Sequence, residues 1–120
     1  MKRDSFYTVM SHYDKDGLKT RSVRQVHGRT FSYKGYIFGI YLDGSCGLYR
    51  LIDLATGKQI HHDTDLNHAI SRLRIKPFFD WFVDQTKTDD YRELCIECDQ
   101  LILEWEAKHK GVSEHNVVRP

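Results

Sequence analysis

The sequence predicts an α+β fold in which a small antiparallel sheet of four to five strands, connected as a meander, is covered by C-terminal helices. Two observations carry that reading. Up to about residue 62, runs rich in β-branched and aromatic residues alternate with turns bearing glycine and aspartate. Beyond Asp63 the apolar residues recur with helical spacing. At 120 residues, 40% hydrophobic and 29% charged, the chain suits a single domain spanning 1–120. That size builds a core without disulfides or metals but leaves no room for a large internal cavity.

Ser-Phe-Tyr-Thr-Val-Met, residues 5–10, has the composition of a short strand. From Ser11 to Gly28 the chain turns polar and basic around an Asp16-Gly17 turn signal, and a long loop is expected over 11–28. Residues 29–33 alternate polar with aromatic before Lys34-Gly35, as a strand entering a hairpin does. Tyr36 to Leu42 is apolar or aromatic at nearly every position, which predicts a strand covered on both faces. Asp43-Gly44-Ser45 turns the chain into Gly47–Leu54, and Thr56-Gly57-Lys58 turns it into a last strand around Gln59–His61.

Asp63-Thr64-Asp65 offers N-caps for a helix carrying Leu66, Ala69, Ile70 and Leu73 on one face. Pro77 then opens a short helix holding Phe78, Phe79, Trp81 and Phe82, four rings that cannot all face one way. Asp90 with Glu93 reads as a capping-box start of the last helix. Its Tyr91, Leu94, Cys95, Cys98, Leu101, Ile102 and Trp105 form one stripe expected to lie on the sheet. Ile96 and Leu103 fall opposite that stripe among Glu97, Asp99, Glu104 and Glu106. Gly111 is placed to end the helix, and 112–120 is expected to be a flexible tail.

The net charge of +1 conceals a gradient. Residues 1–34 carry eight basic against three acidic side chains, whereas 77–120 carry five against ten. Such polarity acts on partners more than on the fold. No apolar run is long enough to span a membrane, and the N-terminus lacks the apolar segment of a secretory signal. A cytoplasmic protein with reduced thiols at Cys46, Cys95 and Cys98 is expected.

Catalytic and metal signals are weak. Cys95-Ile-Glu-Cys98 has redox spacing, but Cys95 lies about a turn inside its helix beside Glu93 and Glu97, and the pair coincides with the buried stripe. No second ligand pair completes a zinc tetrahedron. His61, His62, Asp63, Asp65 and His68 cluster in sequence without a recognisable ligand or acid–base spacing. Gly-rich anion loops and a G-x-S-x-G elbow are missing. The expectation is no enzyme, no cofactor and no metal. A nucleic-acid reading instead gathers Lys19, Arg21, Arg24, Arg29 and Lys34 near Phe31, Tyr33 and Tyr36, cations for phosphates beside rings for bases.

Tyr36-Ile-Phe-Gly-Ile-Tyr41, then Asp53-Leu-Ala-Thr56-Gly57, then Thr64-Asp-Leu-Asn-His-Ala69-Ile70, resembles small proteins carried by prophages and conjugative elements. In these, two strands, a D-x-x-T-G turn and a T-x-x-x-x-A-I helix follow one another. The resemblance spans roughly Gly35 to Ile70, about a third of the chain, and its residues are structural. It implies a mobile-element origin, in whose company inhibitors of host defence nucleases, anti-CRISPR proteins among them, are found. The preferred expectation is therefore a non-enzymatic inhibitor that meets a basic protein surface, possessed for example by a nuclease, through Ile96, Leu103, Glu97, Asp99, Glu104 and Glu106. Nucleic-acid binding by the basic segment 19–34 is the alternative. No membrane partner is expected, and the same apolar pair would also serve a homodimer.

Overall fold

Residues 2–109 and 117–118 are described by the computed structural model of the chain. Five strands follow the turn signals: β1 (Lys2–Tyr13), β2 (Lys19–Tyr33), β3 (Tyr36–Asp43), β4 (Leu48–Asp53) and β5 (Lys58–Asp63). Each lies antiparallel beside its neighbour in sequence, giving the order β5-β4-β3-β2-β1, and the expected meander is complete. Val117–Val118 adds a short sixth strand, β6, parallel to β1 opposite Ser5 and Phe6. Gly111 and the rest of the 112–120 tail lie outside the described residues.

The long loop expected over 11–28 is a correction. β1 and β2 pair continuously from Lys2 opposite Thr30 to Tyr13 opposite Lys19, and only residues 14–18 turn. Residues 11–20 are all exposed, so this end of the hairpin is a ribbon with no buried face and hence no hydrophobic alternation to read. Backbone pairing and local polar bonds hold it instead. Asp14 Oδ1 accepts from the backbone N–H groups of Asp16 and Leu18, and Gly17 takes a φ of +79° to close the turn.

β2 serves two partners, β1 along most of its length and β3 only from Arg29 to Tyr33. Where the β3 pairing ends, a Cβ at Gly28 would lie 2.1 Å from the Ile40 carbonyl oxygen, so this close approach requires glycine. Beyond it the sheet curls. Phe6 on β1 lies over Gly39 of β3, where a Cβ would come within 2.6 Å of the ring. The Val9 N–H donates to the Gly57 carbonyl at 2.7 Å and Thr8 Oγ1 donates to the same oxygen at 3.0 Å, joining β1 to the β4–β5 turn. Phe6, Val26, Tyr41, Ile52 and Leu54 fill the concave side.

Three helices cover the other side. α1 (Leu66–Ser71) is capped by Asp65, whose carboxylate accepts from the His68 N–H, and continues as a 3-10 turn over Arg72–Arg74. α2 (Lys76–Thr86) has Pro77 in its first turn, where the missing N–H costs no hydrogen bond. Phe79 and Phe82 join Phe38, Ile40, Leu51, Ala69 and Leu73 in the main core, while Phe78 is half-buried and Trp81 turns outward. α3 (Asp89–Lys108) begins earlier than the Asp90 start. Thr88 is its N-cap, its Oγ1 accepting from the Tyr91 N–H at 3.2 Å, and Asp89 and Asp90 occupy the first turn, where carboxylates favour the helix dipole.

Candidate protein-binding face

The inner side of α3 follows from its stripe. Cys98 and Ile102 are buried against Tyr7 of β1, with Val9, Val23 and Trp105 packed around them. Trp105 meets Tyr7 edge to face at 5.5 Å and stacks on His109 at 4.1 Å, so the last turn is held by rings as well as by aliphatic contact. Tyr91, Leu94, Cys95 and Leu101 are half-buried along the same side.

The first turn of α3 is fixed to the sheet by a buried carboxylate. Asp53, 2% exposed at the end of β4, accepts from Tyr91 Oη at 2.6 Å, Thr56 Oγ1 at 3.1 Å and the Ala55 N–H at 3.2 Å. Burial raises the Asp53 pKa above the ordinary carboxylate value, and the three donors oppose that shift without cancelling it. Burial, followed by the hydrogen bond and charge of Asp53, also pushes the Tyr91 phenol well above its usual value. The D-x-x-T-G turn thus supplies an acceptor for the helix that covers it.

With the stripe inward, Ile96 is 70% exposed and Leu103 57% exposed, two turns apart on the outer face. Asp99 and Glu104 are exposed beside them, and Glu106 is half-buried at the flank. Glu104 accepts from Gln100 Nε2 at 3.4 Å. Glu97 lies at the border of the outer face, where its carboxylate pairs with Arg21 of β2. The other large exposed apolar residues are arranged differently. Tyr13 and Leu18 flank the ribbon tip, Ile37 and Leu42 are on β3, and Ile75 and Trp81 belong to the α2 region.

The basic residues proposed for nucleic acid are not brought together. Strand alternation puts Arg21 and Arg24 on opposite faces of β2. Arg29, on the Arg21 side, is eight residues further along, about 26 Å on an extended strand. Lys19 is at the ribbon end, and Lys34 Nζ lies over the Tyr33 and Phe79 rings at 5.5 and 5.3 Å. The rings meant for bases serve the core: Phe31, Tyr33 and Tyr36 pack against Phe38, Phe79 and Phe82.

Thiol and imidazole groups are likewise drawn into structural contacts. Cys98 is buried and Cys95 half-buried, its thiol pKa raised by burial and then by the charge of Asp53, the reverse of what a nucleophile needs. Asp65 is the α1 cap, His61 and His62 stack at 6.2 Å, and burial followed by the Arg72 charge lowers the His61 pKa. Among the described residues, no three His, Cys, Asp or Glu side chains form a group able to hold a metal ion. None of the described helices is long and apolar enough to cross a membrane. The chain matches no family model, no curated protein and no solved structure.

Proposed function

We propose that this protein is a non-enzymatic binding module that docks the outer face of α3 on a basic protein surface. The exposed Ile96–Leu103 pair, on a helix whose opposite side is committed to the sheet, carries the reading. Paired apolar anchors ringed by charge supply affinity at the centre of an interface, while the carboxylates steer a basic partner and speed encounter. The likeness of residues 35–70 to mobile-element proteins makes a host defence nuclease the target class of choice, with the protein acting in the cytoplasm as an anti-CRISPR-like inhibitor.

The test compares affinity capture from host lysate by the wild-type chain and by the double variant Ile96→Asp, Leu103→Asp. Both side chains are exposed, so the substitutions are expected to leave the fold intact, which circular dichroism of the variant checks. The proposal expects a basic partner on the wild type that the variant loses, with an association rate that falls as salt rises. Retention of every partner by the variant refutes it. Sedimentation of the purified chain distinguishes a second copy as the occupant: a dimer broken by the same variant would make the face a self-association surface instead.

A further inference from the structure

A cleft of about 550 Å³ opens between β1, β2, β3 and the start of α1, away from the outer face of α3. Arg3 of β1 and Arg29 of β2 line it and are direct cross-strand partners. Directly opposite side chains rise from the same face with Cβ atoms about 5 Å apart, so two like charges are held together, an arrangement that destabilises a sheet unless an anion neutralises it. Among the described residues neither guanidinium has an ion-pair partner. The next pair along the same face is Ser5 opposite His27, with Ser5 Oγ and His27 Nδ1 2.8 Å apart. Asp4 is the one carboxylate of the lining among the described residues, and it accepts from Thr30 Oγ1 at 3.2 Å.

The opposite wall is apolar and aromatic, formed by Leu42, Tyr49 and Leu66. We infer that this cleft binds a phosphate monoester carried on an apolar or aromatic body about the size of a mononucleotide. Two adjacent guanidinium forks match the oxygens of a phosphoryl dianion. A bare phosphate would leave most of the volume empty. A long polyanion finds no continuation, since Arg24 faces the other side of β2 and Arg21 is paired with Glu97.

Calorimetry and NMR titration with adenosine monophosphate, adenosine and inorganic phosphate test the assignment. The expected result is saturable one-site binding of the monophosphate that moves the signals of Arg3, Arg29, His27 and Leu66. Either Arg3→Ala or Arg29→Ala weakens it by at least about tenfold, Arg29→Lys weakens it less, and Arg21→Ala leaves it unchanged. Adenosine does not bind, and inorganic phosphate binds at least about tenfold more weakly than the monophosphate. Absence of saturable binding, or equal binding by folded Arg3→Ala and Arg29→Ala variants, overturns the site. Inorganic phosphate binding as tightly as the monophosphate overturns the role of the apolar wall.

Discussion

The guanidinium of Arg21 on β2 pairs with the carboxylate of Glu97 on α3, joining the two segments that the charge gradient sets apart. The pair spans 76 positions of the chain, and its partners are 24% and 43% exposed. It therefore ties the helix flank to the sheet and takes Arg21 out of any set of cations free for phosphate. Partial exposure keeps its energy small. A double-mutant cycle of Arg21→Ala and Glu97→Gln is expected to give a coupling of about 0.5–1 kcal/mol that shrinks with salt.

Tyr91→Phe removes a charge-assisted hydrogen bond from the buried Asp53 carboxylate, and a loss of about 1–3 kcal/mol at neutral pH is expected by urea denaturation. The pH dependence has a definite sign. Asp53 has a folded pKa above its ordinary 3.8, so the native state binds this proton more tightly than the unfolded state. Its contribution is fully present below 3.8 and is lost as pH rises through the raised folded value. Asp53→Asn should abolish this acid-side gain, whereas Tyr91→Phe, by removing a donor, should make it begin at higher pH.

Asp43 behaves in the opposite sense. Its carboxylate accepts from Ser45 Oγ at 2.6 Å, from Arg50 Nε at 2.8 Å and from the Ser45 N–H at 3.0 Å, which together hold its pKa well below the usual range. Stability from this group is present above its ordinary value of 3.8 and is lost as pH falls through the depressed folded value. Asp43→Asn is expected to flatten the loss of stability that sets in as pH falls below 3.8, in acid titrations followed by circular dichroism. A wild-type slope there would locate the acid sensitivity elsewhere.

Gly39→Ala tests the curl of the sheet. Its Cβ would meet the Phe6 ring at 2.6 Å, and since Phe6 is fully buried the ring has no free space to enter. Overpacking of this kind costs about 1–3 kcal/mol, measurable as a shifted denaturant midpoint. Combining Gly39→Ala with Phe6→Leu should cost less than the two separate losses together.

Much of the fold was legible because burial leaves a periodic trace. Tyr36 to Leu42 reads as a covered strand and its central residues Phe38 to Tyr41 are buried, and the α3 stripe puts Cys98 and Ile102 where the helical period demands. The ribbon of residues 11–20 left no such trace, because strands paired through backbone alone can carry polar residues on both faces. His12 and Ser22, bonded across it at 2.8 Å, look like loop residues in sequence. Curling at Gly28 and Gly39 depends on contacts remote in sequence, so glycine there signalled only turns or strands. Asp53 was visible as the head of a D-x-x-T-G turn, but its bond to Tyr91, 38 residues away, was not. Ile96 and Leu103 were readable from the wheel alone, and both are exposed. Arg3 escaped attention because its pairing with Arg29 depends on the β1–β2 register, which the loop reading removed.

Site-specific photo-cross-linking from Gln100, which lies between Ile96 and Leu103 on the exposed side of α3, addresses the proposed interface in the cell. The account predicts a discrete cross-link to one basic protein, absent when Ile96 and Leu103 are both changed to aspartate and absent from a probe at Thr20 on the ribbon. An unchanged cross-linking pattern after those substitutions, or none from Gln100 at all, contradicts it.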